Sequence, residues 1–227
     1  MNKFEYTCFI SYRNGFNVQD HLNTFTKKIA EIISGTIQGF LVESDVRDTK
    51  GRIVFLDQDV FGNNDFRIEA LSKGLCKSIC WIVMFTRDYT GGSLWCASEL
   101  EGMTRLEKER LEKIKLEGNP DMGFVVPVLL AGDISDMPDF LQKQKKHIID
   151  LRRLFLRKKF EDENEFTDLL TELLDKIGRV QTVVLEKNVN LCEDCVTFRL
   201  VDVSSPKGKE QIVDFVKTLK TPPQPTS

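Results

Sequence analysis

The chain has 227 residues, 41% of them hydrophobic and 30% charged, with a formal net charge of −3. These are the proportions of an ordinary globular protein, long enough for one large domain or for a domain with an appendage. The slightly acidic balance gives no reason to expect nucleic acid or an anionic membrane as partner, and no apolar run approaches the roughly 20 residues of a membrane span.

At the start of the chain, MNKFEYTCFISYR places charges too close to its apolar run for a signal peptide. The six cysteines show no disulfide-framework spacing, which fits a reduced, cytoplasmic protein. Tyr6–Tyr12 (YTCFISY) reads as a strand ended by the turn signal Arg13-Asn14-Gly15. Over residues 18–34 Leu22, Phe25, Ile29, Ile32 and Ile33 recur at helical spacing, and Gly35 is the expected end. Residues 35–51 are ambiguous, with GFLVES as a brief strand or a packed loop. A second strand is expected at 52–56, a long polar loop at 57–65 and a short helix at 66–76.

The run from Ile79 to Phe85 reads as a strand buried on both faces. A polar, glycine-bearing loop follows at 86–93, too wet to be core, and a long helix starts at Leu94 with Ser93 as its N-cap. Trp95 and Glu99 lie four apart and so share a face of its first turns. The charged sequence RLEKERLEKIKLE on its other sides reads as a solvated face. FVVPVLL (124–130) is a fourth buried strand, in which Pro127 points to an edge or a bulge. Residues 137–146 read as a helical turn, 147–151 as a fifth strand and 163–177 as a last helix capped by Gly178.

Strands alternating with helices predict an α/β fold, a flavodoxin-like doubly wound sheet of about five parallel strands with helices on both faces. Such sheets bind ligands beyond the carboxyl ends of their strands where the strand order reverses, between strands 1 and 3 in the order 2-1-3-4-5. Ser11 and Arg13 would line that crevice from one side, Trp95 and Glu99 from the other.

The first strand lacks a following G-x-G-x-x-G, and the chain has no P-loop and no H-x-x-x-H metal pair. Two histidines, His21 and His147, make a Ser-His-Asp triad a poor fit, and Arg13-Asn14 stands where receiver domains need an acidic pair. Glycosidic cleavage ordinarily uses two carboxyl groups, one of them to protonate the leaving group. A leaving group that is already cationic and departs neutral, as nicotinamide does from NAD+, needs no such acid. One carboxylate can then stabilise the oxocarbenium-like transition state. The same spacing also fits a first-turn acid favoured by the helix dipole, so both readings of Glu99 stay open at this point.

FISYRNG (9–15) resembles box 1 of Toll/interleukin-1 receptor (TIR) domains. VFLDQDVFGNNDFRIEALSKGLCKSICWIVMFT (54–86) resembles their second strand, BB loop, second helix and third strand. SLWCASEL (93–100) resembles the W-x-x-x-E helix start of the NAD-cleaving members. The resemblance spans residues 4–178 and implies an NAD+ glycohydrolase or cyclase, with NAD+ as substrate and no cofactor or metal. It implies Glu99 as the catalytic carboxylate, and Ile10, Ser11, Arg13, Phe66 and Trp95 along the substrate. It further implies self-association through the BB loop (residues 57–66), a role in bacterial anti-phage defence and a downstream effector that senses a cyclic nucleotide product. DQDVFGNND departs from the usual BB-loop pattern. Animal TIR domains imply the alternative, a non-enzymatic scaffold working by homotypic contacts; a nucleoside-processing transferase on a related sheet is a third reading.

Residues 1–178 are thus expected as the TIR domain and 179–227 as an appendage, with strands at 182–186 and 196–203, a helix at 210–219 and a disordered end TPPQPTS. Cys192-Glu193-Asp194-Cys195 offers half a zinc site without a second ligand pair, so a hairpin turn with two free thiols is expected there.

Overall fold

The computed structural model describes residues 4–13, 21–40, 53–56, 64–114, 123–143, 148–155, 164–187 and 191–219. The turn at Asn14-Gly15, residues 41–44 of GFLVES, residues 57–63 of the expected BB loop, Gly118-Asn119-Pro120, His147 and the end TPPQPTS lie outside them.

The most apolar short runs of the chain pair into one parallel sheet: Tyr6–Tyr12 (β1), Val54–Leu56 (β2), Ser78–Phe85 (β3), Val125–Leu129 (β4) and Ile149–Asp150 (β5). The strand order is β2-β1-β3-β4-β5, the flavodoxin-like order expected from the alternation of elements. Every residue of β1, β3 and β4 is buried, as continuous apolar strands covered on both faces must be.

The helices are His21–Phe40 (α1), Asn64–Cys76 (α2), Leu94–Ile114 (α3), Asp139–Lys143 (α4), Arg152–Phe155 (α5), Asn164–Lys187 (α6) and Pro206–Leu219 (α7). α2 and α3 pack on β1 and β3 from one side, while α1 and α6 cover β1, β2, β3 and β5 from the other. Among the described residues no helix is long and apolar enough to cross a membrane.

Pro127 sits inside β4, paired with Val83. The amides of Leu130 and Leu151 bond Phe85 O and Leu129 O respectively, so even-numbered amides of β4 face β3 and odd-numbered positions face β5. β5 begins only opposite Val128. Among the described residues, the missing N–H of Pro127 therefore points to the β5 side short of where β5 begins, a place that proline tolerates.

Several expectations are corrected. α1 runs through Gly35 to Phe40 because Ile29, Ile33 and Ile37 continue the buried face at spacings of four, and a side chain at Gly35 would meet nothing within 4 Å. α6 likewise runs through Gly178 to Lys187, so residues 182–186 are helical. Ile177, Val180 and Val184 hold the helical period there, and burial of that stripe overrides the β-preference of the Thr-Val-Val run. Residues 198–203 form no ladder either. Phe198, Leu200 and Val203 are buried in an extended segment laid across α2 and α3, and its backbone bonds side chains instead. Leu200 N–H donates to Ser72 Oγ at 2.9 Å, Ser98 Oγ donates to Val201 O at 2.9 Å, and Arg105 Nη2 donates to Arg199 O at 2.7 Å.

Cys195 is not a free thiol. It forms a disulfide with Cys76 at the end of α2, which corrects the expectation of fully reduced cysteines. The charged face of α3 is also only partly solvated, since Glu107 and Arg110 are buried. Arg110 donates to the carbonyls of Cys76, Ser78 and Ile79, and Glu107 Oε1 accepts from the amides of Phe124 and Val125. The amino ends of β3 and β4 and the end of α2 leave backbone groups that need such partners.

Candidate active site

Three segments meet beyond the carboxyl ends of β1 and β3. β1 delivers Ser11 on the side of the sheet that α2 and α3 cover, because alternate strand residues face opposite ways and Phe9, two before it, stacks on Phe55 beneath α2. α3 begins at Leu94 with Ser93 as its cap, the Ser93 hydroxyl accepting from the amide of Cys96 at 3.3 Å. Glu99, one turn further in, points back toward that first turn, as helical side chains do. Ser11 Oγ donates to Glu99 Oε2, joining residues 88 positions apart across the switch point.

The loop between β3 and α3 supplies the third group. Tyr89 N–H bonds Thr86 O and Gly92 N–H bonds Asp88 O, two turns that fold the Tyr89 ring inward against Phe85. The Tyr89 hydroxyl bonds Ser11 Oγ. Ser11, Tyr89 and Glu99 are each 0% exposed. The expectation of a wet loop at 86–93 is thereby corrected, since Thr86, Tyr89 and Thr90 are buried. An aromatic residue in an otherwise small and polar loop was the available sign.

Arg13 leaves the end of β1 and bonds Asp88 Oδ2 at 3.2 Å, half-exposed. Its guanidinium lies over Gly92, where a Cβ would come within 2.9 Å of Arg13 Cζ, so the glycine makes room for it. Trp95 is partly buried, and Arg67 of α2 stacks on its ring at 4.6 Å from the centroid. Phe66, beside Arg67, is 56% exposed. Ile10 is fully buried, and its side chain points to the face of the sheet opposite Ser11. The fold brings together Ser11, Glu99 and Tyr89, and sets Arg13 and Trp95 around the α3 start; it leaves Phe66 exposed on α2 and does not bring the Ile10 side chain to that corner.

This arrangement can hold one carboxylate in fixed geometry with a cation and aromatic surfaces nearby. Among the described residues no group of three His, Cys, Asp or Glu side chains is placed to hold a metal ion. Comparison with protein families, with characterised proteins and with solved structures finds no match to this chain.

Proposed function

We propose that the chain is a TIR-like NAD+ glycohydrolase or cyclase, which cleaves the bond between nicotinamide and ribose with Glu99 as its catalytic carboxylate. The observation that carries the reading is the Ser11–Glu99 hydrogen bond at the topological switch point. It puts one oriented carboxylate where doubly wound sheets bind ligands, with no second acid beside it in the motif. A departing nicotinamide needs no proton, and a carboxylate facing C1′ of the ribose stabilises positive charge developing there. Arg13 offers a donor for a phosphate oxygen and Trp95 a stacking surface. Glu99 is fully buried in this conformation. Substrate contact therefore requires Glu99 to be uncovered, in keeping with an enzyme that works as an assembly completed through the BB loop at residues 57–66. A cytoplasmic place in anti-phage defence, with a cyclic product read by a downstream effector, belongs to the same proposal and rests on the resemblance alone.

The burial of Glu99 is also the observation that favours a second reading, a non-enzymatic scaffold in which the Ser11–Glu99 bond is structural. Chromatography of NAD+ incubated with concentrated protein separates the two. Release of nicotinamide that Glu99→Gln abolishes, with the variant's melting transition kept, supports the enzyme. Intact NAD+ in a demonstrably assembled sample supports the scaffold. Free base moved between sugars with NAD+ untouched supports a nucleoside transferase.

A further inference from the structure

Tyr89 belongs to neither the motif segments nor the substrate-contacting residues of the reading above, yet it ends a chain of three buried side chains drawn from three segments. We propose that Tyr89 is a positioning residue whose hydroxyl, acting through Ser11, orients the Glu99 carboxyl group and favours its ionised form over its protonated one. A serine hydroxyl carries one proton, and when Glu99 is ionised Ser11 gives that proton to Glu99 Oε2. The proton of the Ser11–Tyr89 bond therefore comes from tyrosine. The ionised chain runs Tyr89 to Ser11 to Glu99, each donor polarising the next.

Protonation of Glu99 reverses that order. The carboxyl group then donates to Ser11, and Ser11 donates to the Tyr89 oxygen. The two arrangements are unequal, because a hydrogen bond to a charged acceptor is about twice as strong as a neutral one. A phenol is also a better donor than acceptor. Loss of the Tyr89 hydroxyl thus weakens the ionised arrangement more than the protonated one. The ring is held by its contact with Phe85, centroids 5.9 Å apart, so the hydroxyl is preset rather than recruited.

Among the described residues, the charged neighbours of this corner are themselves engaged. β1 contributes only Arg13 at its end, already paired with Asp88 of the loop. α2 contributes Arg67, stacked on Trp95. Val203 and, from α7, Ile212 approach α3 on its Ala97 side. Neither Arg13 nor Arg67 is altered in the variants below.

The inference rests on the enzymatic reading only for its effect on turnover, and its test reads Glu99 directly. In protein labelled with carbon-13 at glutamate carboxyls, the Glu99 resonance is the one missing from Glu99→Gln. Tyr89→Phe is expected to raise the midpoint of its titration by about one pH unit, the equivalent of one hydrogen bond. In a Ser11→Ala background the same substitution is expected to add nothing, because the connection is gone. An unchanged midpoint in Tyr89→Phe, or an equal shift without Ser11, overturns the proposal. Should Tyr89→Phe not fold, 3-fluorotyrosine placed at position 89 is a stronger donor and should lower the midpoint; no change there overturns it as well. Nicotinamide release measured on the same samples separates the two ideas. A shift without turnover in the parent protein removes the enzymatic reading alone, and turnover without a shift removes the role of Tyr89 alone.

Discussion

Arg110 and Glu99 are both buried ionisable residues of α3, the first bonded to backbone carbonyls and the second to the Ser11 hydroxyl. The Arg110 guanidinium donates to three backbone carbonyls at 2.8–2.9 Å and lies over the ring of Trp81 at 4.4 Å, with Phe124 and Phe4 also against it. Burial lowers its pKa to about 10, which leaves it charged at neutral pH. Replacing it with methionine strands three carbonyls in the core and is expected to cost about 3 kcal/mol or more in urea unfolding. Arg110→Lys should recover only part of this, because an ammonium cannot span the three acceptors as a planar fork does. Equal stability of Arg110→Met and the parent would mean that the carbonyls find other partners. The sequence made Ser11, Trp95 and Glu99 legible, since strand ends and helix starts are marked by local pattern. Tyr89 and Arg110 were illegible for the opposite reason: a polar side chain becomes core only through partners 31 to 78 residues away.

At the scale of elements, the segment from Cys192 to α7 acts as a strap over α2 and α3. Its disulfide joins Cys195 to Cys76 across a sequence separation of 119. Its close fit shows at two glycines. A Cβ at Gly102 would stand 2.5 Å from Leu200 Cδ2, and one at Gly208 would stand 1.8 Å from the carbonyl oxygen of Asp202. The second contact is with backbone and cannot be relieved by a rotamer change, so Gly208→Ala should destabilise the fold by about 1–3 kcal/mol, read as a lower melting temperature. Cys195→Ser should cost about 2–5 kcal/mol, and reductant should bring the parent protein down to the level of that variant. A melting temperature indifferent to both changes would show that the strap adds nothing to stability. The strap also explains why residues 196–203 read as a strand. Phe198, Arg199 and Leu200 do alternate buried, exposed, buried, but the surface they cover is helical, and a ladder partner is something that periodicity alone does not report.

For the whole molecule, the order β2-β1-β3-β4-β5 was readable from the alternation of strands and helices, because right-handed crossovers leave few other arrangements. The continuity of α6 through residue 178 was not, since glycine and β-branched residues yield to burial on a long amphipathic face. Arg152 ties the ends of β4 and β5 together, bonding Asp150, Asp133 and the carbonyl of Gly132. Hydrogen bonds from the Arg152 side chain hold Asp150 below the ordinary aspartate value of 3.8. A folded-state pKa below the unfolded one means that the unfolded chain binds more protons in that range, so the stabilisation is full above the ordinary value and is lost as pH falls through the lowered one. Asp150→Asn should therefore be less stable than the parent at neutral pH and converge on it in acid. A gap that stays constant down to the acid limb would deny this role.

The same topology brings Ser11 to Glu99 and gives the proposed chemistry its place. The most direct test is the rate of nicotinamide release from NAD+ by the assembled protein, compared with that of Glu99→Gln under the same conditions. The account predicts measurable release by the parent and none by the variant, both equally folded. Equal rates, or no release by the assembled parent, would contradict it.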